Sequence, residues 1–339
     1  MTDQSIFTER ATFSRVRLGE LRRRLATNPH VTALPDLSIF ASGSYGRLEA
    51  SEHSDIDLFF IYKHDRPQID DRKTRELRLF GTLIEMAVQM DFPAFSNDSQ
   101  YLTTVECSGL LAALGSPEDD YKNYFTLRML MILESRPVFQ DEVFNGILRA
   151  IFESYYRDYP DHEASFEPWF LLNDIGRFWK TLLLNYEHRR NQNSPEMGTP
   201  EQQLKKNKQK VKNFKLKFSR MTTCFATVAA LGTAERPVSI DDLMQLVQLT
   251  PRERLEWISS RLPQLKGLVD DLLIDYAWFM EQTALTEENL RRLFEDKASR
   301  VVMFERANTY SDKMFRLLSA IENTGVADGR GSLLRYLVI

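Results

Sequence analysis

The sequence predicts an α+β protein, in which an N-terminal mixed sheet with flanking helices is followed by a C-terminal helical bundle. Two predicted strands lie within the first 62 residues: the start of LSIFASGSYG, which is typical of a buried strand, and DIDLFFIY, which is rich in β-branched and aromatic residues. From about residue 158 onward, only helical periodicity is found. A chain of 339 residues is longer than one average domain. We therefore predict two domains, residues 1–155 and 156–339.

The N-terminal elements follow from local patterns. Residues 7–27 carry apolar side chains at helical spacing and predict an amphipathic helix. Pro35 and Asp36 break the chain before the first predicted strand, and a polar, loop-like segment follows Gly46. The segment DIDLFFIY then predicts a second strand.

The next elements are less uniform. Residues 69–92 have a helical composition in their first half, but residues 83–92 also alternate with a period of two, so this part fits a helix or a strand. Residues 104–114 predict a helix capped by a threonine, and residues 121–156 predict a helix-rich region interrupted at Pro137. A long apolar helix is predicted over EPWFLLNDIGRFWKTLLLNYEHRR, and five further helices are predicted over 203–231, 239–249, 251–260, 264–282 and 286–322.

Bulk composition limits the partners. The formal net charge is −4, so no global positive field attracts nucleic acid, and any anion site must be local. The two cysteines, Cys107 and Cys224, form no disulfide framework. No segment of about 18 apolar residues suggests a membrane span. These features predict a soluble cytoplasmic protein without a membrane partner.

The most informative segment is GSYGRLEASEHSDIDLFF, which holds two acids on one strand. Asp55 and Asp57 are two residues apart, so their side chains point to one face with Cα atoms roughly 6–7 Å apart. Apolar neighbours desolvate such carboxylates, which is unfavourable unless cations compensate. Two Mg²⁺ or Mn²⁺ ions, about 3.5–4 Å apart, compensate such charges and also clamp phosphates during an in-line displacement. Asp55 and Asp57 are thus predicted metal ligands.

A glycine-rich turn precedes these acids. Gly43 and Gly46 allow backbone N–H groups to approach an anion closely. The Ser44 hydroxyl is predicted to donate to a phosphate oxygen, and Arg47 to provide a bidentate guanidinium.

This order of features resembles the motif of the DNA-polymerase-β superfamily of nucleotidyltransferases. A strand is followed by a Gly-Ser turn, a short gap and then an acid pair that enters a second strand. The segment also resembles the catalytic domain of the bacterial uridylyltransferases that modify PII proteins, whose motif runs Gly-Gly-Tyr-Gly-Arg-Gly-Glu and then Ser-Asp-Ile-Asp-Leu. Ser44 and Leu48 depart from that motif. The positions that match it are Gly43, Tyr45, Gly46, Arg47, Glu49, Ser54, Asp55, Ile56, Asp57 and Leu58.

A second segment, MLMILESRPVF, looks like that family's Leu-Ile-Glu-Ser-Arg through Leu133, Glu134, Ser135 and Arg136. The resemblance covers roughly residues 38–150. It implies metal-dependent transfer of a nucleoside monophosphate from an NTP, with a helical domain behind the catalytic one. It does not carry over uridylylation of a PII protein, because the chain is too short for the phosphohydrolase and regulatory domains of those enzymes.

The superfamily normally has a third carboxylate on a neighbouring strand. Asp91 qualifies if residues 83–92 form a strand. Asp98 qualifies if those residues are helical, and its distance from the predicted helix at Thr104 fits the family's layout better.

Two basic features in the C-terminal half are candidate NTP or acceptor contacts. Arg177 and Lys180 share one helix face and are predicted to reach the triphosphate across a cleft, unless that face is only solvated. Lys215 and Lys217 belong to a run of lysines without acids, which suits phosphate or polynucleotide contacts or a solvated face.

The acceptor stays open between a nucleotide, an RNA end and a protein side chain. Compact enzymes resembling this class include synthetases of nucleotide signals in bacterial antiviral defence, and toxins that modify tRNA. A catalytically inert fold that senses nucleotides or scaffolds partners is the non-enzyme alternative.

Overall fold

The computed structural model describes residues 5–65, 72–93, 95, 102–161, 163–191, 200–327 and 333–338. Its fold is α+β, as predicted, with a four-stranded mixed sheet near the N-terminus and a helical C-terminal region. The described residues form two compact units. One comprises 7–161 and 239–247, and the other comprises 162–238, 248–339 and the start of the chain. Whether 1–155 and 156–339 are independent domains stays a prediction.

The sheet contains β1 (Leu37–Ser42), β2 (Asp57–Tyr62), β3 (Thr104–Glu106) and β4 (Arg136–Phe139). Their order is β3-β2-β1-β4. The central strands β1 and β2 are antiparallel, with Leu37 opposite Tyr62 and Ser42 opposite Asp57. Strand β4 is antiparallel to β1, and β3 is parallel to β2.

The sheet-containing unit includes the helix Ile240–Leu246 from later in the chain. Its other helices precede, separate or follow the strands. They are α1 (Ser5–Thr27), α2 (Pro29–Thr32), α3 (Gly43–Gly46), α4 (Arg72–Gln89), α5 (Cys107–Ala112), α6 (Pro117–Tyr121), α7 (Tyr124–Glu134) and α8 (Asp141–Ser154).

Both faces of the sheet are covered by helices. On one face, buried side chains of β1 and β2 such as Ile39 and Phe60 form a hydrophobic cluster with α1 and α4, which contribute Leu21 and Leu83. On the other face, Phe40 stacks on Phe59 and tilts against Phe144 of α8, with ring centroids 5.4 Å apart in both pairs. This packing fixes the two central strands from both sides.

The C-terminal part contains α9 (Trp169–Asn191), α10 (Pro200–Lys215), α11 (Met221–Gly232), α12 (Ile240–Leu246), α13 (Pro251–Arg261), α14 (Lys266–Gln282), α15 (Glu287–Glu295), α16 (Lys297–Ala327) and α17 (Leu333–Val338). A π-helical turn, Leu216–Arg220, joins α10 to α11. Within the helical unit, Phe218 stacks on Phe279 and on Tyr310, with centroids 4.9 and 4.6 Å apart. Among the described residues after Phe139, every regular element is helical.

The structure corrects two of the predicted elements and decides between the two alternatives for a third. Residues 83–92 are not a strand, because α4 continues to Gln89. Residues 104–106 form strand β3 instead of the start of a helix, which begins only at Cys107. The interruption at Pro137 is strand β4, and a proline is tolerated there because β4 lies at the edge of the sheet.

Among the described residues, no helix combines the length and the apolar character that a membrane span requires.

Candidate active site

A tight turn follows the first central strand. Helix α3 begins directly after Ser42 with Gly43, whose φ of 66° lies in the left-handed region that glycine adopts without strain. The turn closes through hydrogen bonds from the Arg47 N–H to the Gly43 carbonyl (3.0 Å) and from the Glu49 N–H to the Ser44 carbonyl (2.8 Å). The N–H groups of the first helical turn have no carbonyl partner within the helix, so they are suited to an anion.

The acid pair lies at the start of the neighbouring strand. Asp55 is exposed, Ile56 is buried with 2% exposure, and Asp57 is half-buried, which is the alternation of an extended chain. Asp57 pairs with Ser42, the last residue before the turn. A Cβ atom on Gly43 would lie only 2.9 Å from Asp57 Oδ2. The carboxylate therefore lies directly against the backbone of the turn.

The loop between the turn and the acids is held by serine side chains. The Ala50 N–H donates to Ser14 Oγ of α1 (3.0 Å), and Ser14 is fully buried. The Ser51 N–H donates to Ser54 Oγ (2.9 Å), and the Ser54 N–H donates back to the Ser51 carbonyl (3.0 Å). These contacts fix the chain immediately before Asp55.

Tyr45 connects the turn to the rest of the site. Burial raises the pKa of its hydroxyl, which interacts with the Arg17 guanidinium of α1 and with Asp55. Phe92 packs edge-on against the Tyr45 ring at 5.5 Å, and the Arg17 guanidinium lies 4.3 Å from the Phe92 ring centroid. Arg17 also donates to the Met90 carbonyl. No signal in the sequence marked Arg17 as a neighbour of this site.

Arg47 has a different environment from the predicted one. Its side chain is 8% exposed, and its Nε donates to Glu49 at 2.7 Å. Its Nη1 forms a second ion pair with Glu134, a fully buried carboxylate at the end of α7. With two carboxylates engaging the guanidinium, this arrangement disfavours the expected bidentate contact with phosphate. Arg47 thus braces the turn, and its contact with phosphate stays a prediction.

Leu48 explains one departure from the uridylyltransferase motif, which has glycine at this position. Its φ is 60°, in the left-handed region, where a side chain costs about 1–2 kcal/mol. The side chain is 7% exposed and belongs to the hydrophobic cluster of the sheet. Burial of a leucine contributes about 1.5–3 kcal/mol, which offsets that strain.

The third carboxylate stays a prediction. Asp98 lies outside the described residues. Asp91 is exposed and follows α4 with a φ of 53°, so the strand on which its candidacy depended is absent. Its neighbours Met90 and Phe92 nevertheless contact the Arg17–Tyr45 pair. Within the described ranges, no group of three His, Cys, Asp or Glu residues is arranged to hold a metal.

The four predicted basic contacts belong to the helical unit. Arg177 lies 3.7 Å from Asp174, and Lys180 is exposed on the same helix. Lys215 is exposed, whereas Lys217 is half-buried and donates to Asn308 at 2.6 Å. Their contact with an NTP or an acceptor stays a prediction.

The cysteine nearest to the sheet does not add a nucleophile. Burial raises the pKa of the Cys107 thiol to about 11. Since the thiolate is the reactive form, Cys107 is protonated and unreactive at neutral pH.

The class of domain follows from comparison with known families. Residues 20–102 match the model of the nucleotidyltransferase domain, a family within the polymerase-β-like superfamily. The matched range contains the C-terminal end of α1, the turn and both acids, and covers about a quarter of the chain. A nucleotidyltransferase domain supports transfer of a nucleoside monophosphate with an NTP as substrate. No curated protein matches the chain.

Proposed function

We propose that this protein is a metal-dependent nucleotidyltransferase that moves a nucleoside monophosphate from an NTP to an acceptor hydroxyl and releases pyrophosphate. The observation that carries the proposal is the contact between the Asp57 carboxylate and the Gly43 backbone. A phosphate held by the turn would thus lie beside the acid that holds a cation. This proximity is what phosphoryl transfer requires of a protein, because the reaction depends mainly on positioning and charge stabilisation.

The residues fit Mg²⁺ or Mn²⁺. Asp55 and Asp57 supply hard oxygen donors, and the exposure of Asp55 leaves room for substrate and water. Magnesium is typically held by one or two carboxylates together with substrate phosphates, so this pair suffices once an NTP is bound. When bound, two such ions polarise the phosphate and make the attacking hydroxyl more nucleophilic. We propose Asp98 as the third carboxylate.

The chain's own groups then have distinct roles. The backbone of Gly43, Ser44 and Gly46 orients the triphosphate, and the half-buried Ser44 hydroxyl donates to one of its oxygens. Tyr45 packs behind the turn, where its hydroxyl interacts with the Arg17 guanidinium. Arg177, Lys180, Lys215 and Lys217 contribute positive charge to the NTP or the acceptor.

Incubation with each radiolabelled NTP and Mg²⁺ or Mn²⁺ tests the proposal. Three parallel reactions contain no acceptor, cellular RNA or lysate protein, so a soluble product, labelled RNA and labelled protein identify the acceptor class. Label transfer with pyrophosphate release is the expected result. Specific binding of an NTP without turnover under all conditions would instead indicate an inert nucleotide-sensing fold.

The double variant Asp55→Ala/Asp57→Ala supplies the specific control. We expect it to abolish transfer, because losing even one preorganised charge-stabilising group costs about 10²–10³-fold in rate. Its melting temperature without metal should hold or rise, since two like charges are removed. The matched control is Asp158→Ala/Asp161→Ala, which removes two exposed aspartates of the same unit and should keep full activity. Retained transfer in the first variant would contradict the proposal.

A further inference from the structure

A buried charge cluster lies against the turn. Arg47 forms ion pairs with Glu49 and Glu134, and the three side chains are 8%, 8% and 0% exposed. Arg10 of α1, itself 4% exposed, interacts electrostatically with Glu49 and brings a second positive charge to the cluster. Burying several charges is unfavourable even when they are paired, so such a cluster is weak support for stability alone.

Glu134 touches the turn at both ends. At the N-terminal end, the Ser42 hydroxyl donates to Glu134 Oε1 at 3.5 Å. At the C-terminal end, Arg47 Nη1 binds Glu134 Oε2. The backbone of Glu134 is equally close, because a Cβ atom on Gly46 would lie 2.8 Å from its carbonyl carbon. The last residue of α7 therefore clamps the segment from Ser42 to Arg47.

We propose that Glu134 is a positioning residue for nucleotide transfer, which fixes the triphosphate-binding turn through Arg47 and Ser42 without touching the substrate. This inference rests on the function proposed above. Glu134 is 92 residues from Ser42 in sequence, so the clamp ties the turn to a separate helix. Misplacement of a phosphate cradle by about 1 Å costs up to 10²-fold in rate, so a fixed turn affects catalysis directly.

The same unit offers a matched control. Arg128 and Asp119 form another buried ion pair, with distances of 2.9 and 2.6 Å and side chains only 1% and 0% exposed. Arg128 Nε also donates to Tyr155 Oη at 2.9 Å. The pair joins α6 to α7, and the hydrogen bonds named here connect these helices and the C-terminal cap of α8, not the turn. Breaking it removes a buried carboxylate charge in the same way, so it reports the purely structural effect.

The test compares Glu134→Gln with Asp119→Asn. Melting temperature, Kd for each of the four NTPs with Mg²⁺, and kcat and KM for nucleotide transfer are measured at a temperature where both variants are folded. We expect both substitutions to lower the melting temperature. Only Glu134→Gln should lower kcat, by about 10- to 100-fold, which is the usual effect of losing a residue that orients the groups in contact with the substrate or metal. The kcat of Asp119→Asn should stay within about twofold of the wild-type value.

A second variant covers the case in which Glu134→Gln does not fold. Glu134→Asp keeps the charge but shortens the side chain by one methylene, so it retains an ion pair while displacing Arg47. We expect a near-normal melting temperature with kcat lowered at least about fivefold, because positioning depends on distance. Normal kcat in a folded Glu134→Asp would overturn the proposal, as would equal kcat in Glu134→Gln and Asp119→Asn.

The wild type separates this inference from the proposed function. If wild-type protein neither transfers nor binds any NTP, both proposals fail together. If it transfers nucleotide and Glu134→Gln behaves like Asp119→Asn, only the positioning role fails. If it binds NTPs without transferring them, the Kd values decide, and an unchanged Kd in Glu134→Gln overturns the role of the clamp.

Discussion

The acid pair and the basic run are held in place in different ways. Asp57 is fixed by strand register, because β1 and β2 pair from Leu37–Tyr62 to Ser42–Asp57 and the turn leaves β1 at that end. Lys215 and Lys217 flank the junction between α10 and a π-helical turn, where one is exposed and the other binds Asn308. A site built from adjacent strands is defined by local sequence, whereas the role of a helix surface depends on what approaches it.

The largest expected effect concerns the third acid, which would complete the strand-based side of this comparison. Strand β3 begins at Thr104, opposite Phe60, and runs parallel to β2. The N-terminal end of β3 is therefore on the same side of the sheet as Asp57, the first residue of β2. Asp98 precedes this entry in the sequence. We expect Asp98→Asn to lower kcat at least about 100-fold, as for loss of a charge-stabilising group.

Asp91→Asn is the matched variant for that measurement. Asp91 is exposed with a left-handed backbone, which asparagine tolerates well, so the fold should be unchanged. We expect kcat within a few-fold of wild type, measured with the NTP that the wild type uses best. If Asp91→Asn lowered kcat more than Asp98→Asn, the third carboxylate would be Asp91, which follows α4, and Asp98, which precedes β3, would not have this role.

The elements that sequence predicted correctly are those with strong local signals. Strands β1 and β2 each have six residues: β1 is buried throughout, and β2 is rich in β-branched and aromatic side chains. Strands β3 and β4, with three and four residues, are too short for alternation to be visible. Thr104 was therefore mistaken for a helix cap.

The contacts of the candidate site also differ in how far apart their residues lie in the sequence. Gly43 and Asp57 belong to a motif contained in one short segment, so the sequence singled out both residues, and the structure adds how closely they approach each other. The ion pair between Arg47 and Glu134 joins residues 87 positions apart, and only the tertiary structure reveals it. The expectation that Arg47 binds phosphate was formed without knowledge of this ion pair, and it stays a prediction.

A glycine series sharpens the comparison by testing how closely the turn and the acids are coupled. Gly43→Ala adds a Cβ 2.9 Å from Asp57 Oδ2 and strains a residue with a φ of 66°. We expect a loss of about 1–2 kcal/mol in the free energy of unfolding. The displacement of Asp57 should lower kcat on the order of 10- to 100-fold.

Substitutions of two other glycines give the upper and lower limits for the loss of stability expected of Gly43→Ala. Gly46→Ala would bring a Cβ to 3.0 Å from the Ala41 carbonyl oxygen and closer still to Glu134, so we expect a severe loss of stability. Gly81 lies inside α4 with no atom within 4 Å of a new Cβ, and Gly81→Ala should stabilise the protein by about 0.5–1 kcal/mol. Denaturant unfolding and kcat are measured for all three. A Gly43→Ala variant with normal kcat would show that the turn and the acids act independently.

The smallest expected effect concerns the basic run, the other side of the comparison. Lys215→Glu/Lys217→Glu reverses two charges on the helical unit while the acids stay intact. The net charge of −4 supplies no broad field for a long acidic polymer, so we expect these lysines to serve the triphosphate. The variant should then lose NTP affinity by about tenfold or less, or about 1.4 kcal/mol, whatever the acceptor.

Titration of labelled NTP and labelled RNA at two salt concentrations separates the possible roles. If the lysines hold a polynucleotide, RNA binding weakens while NTP binding stays constant, and the wild-type affinity for RNA falls steeply with salt because each neutralised phosphate releases about 0.7–0.9 counterion. If the run is only a solvated face, neither binding constant changes. The control is Lys205→Glu/Lys206→Glu. It changes two exposed lysines that lie earlier in the same run, in the N-terminal half of α10. An equal loss of NTP affinity in both variants would mean that the helix attracts the triphosphate through its overall charge, and that Lys215 and Lys217 make no specific contact.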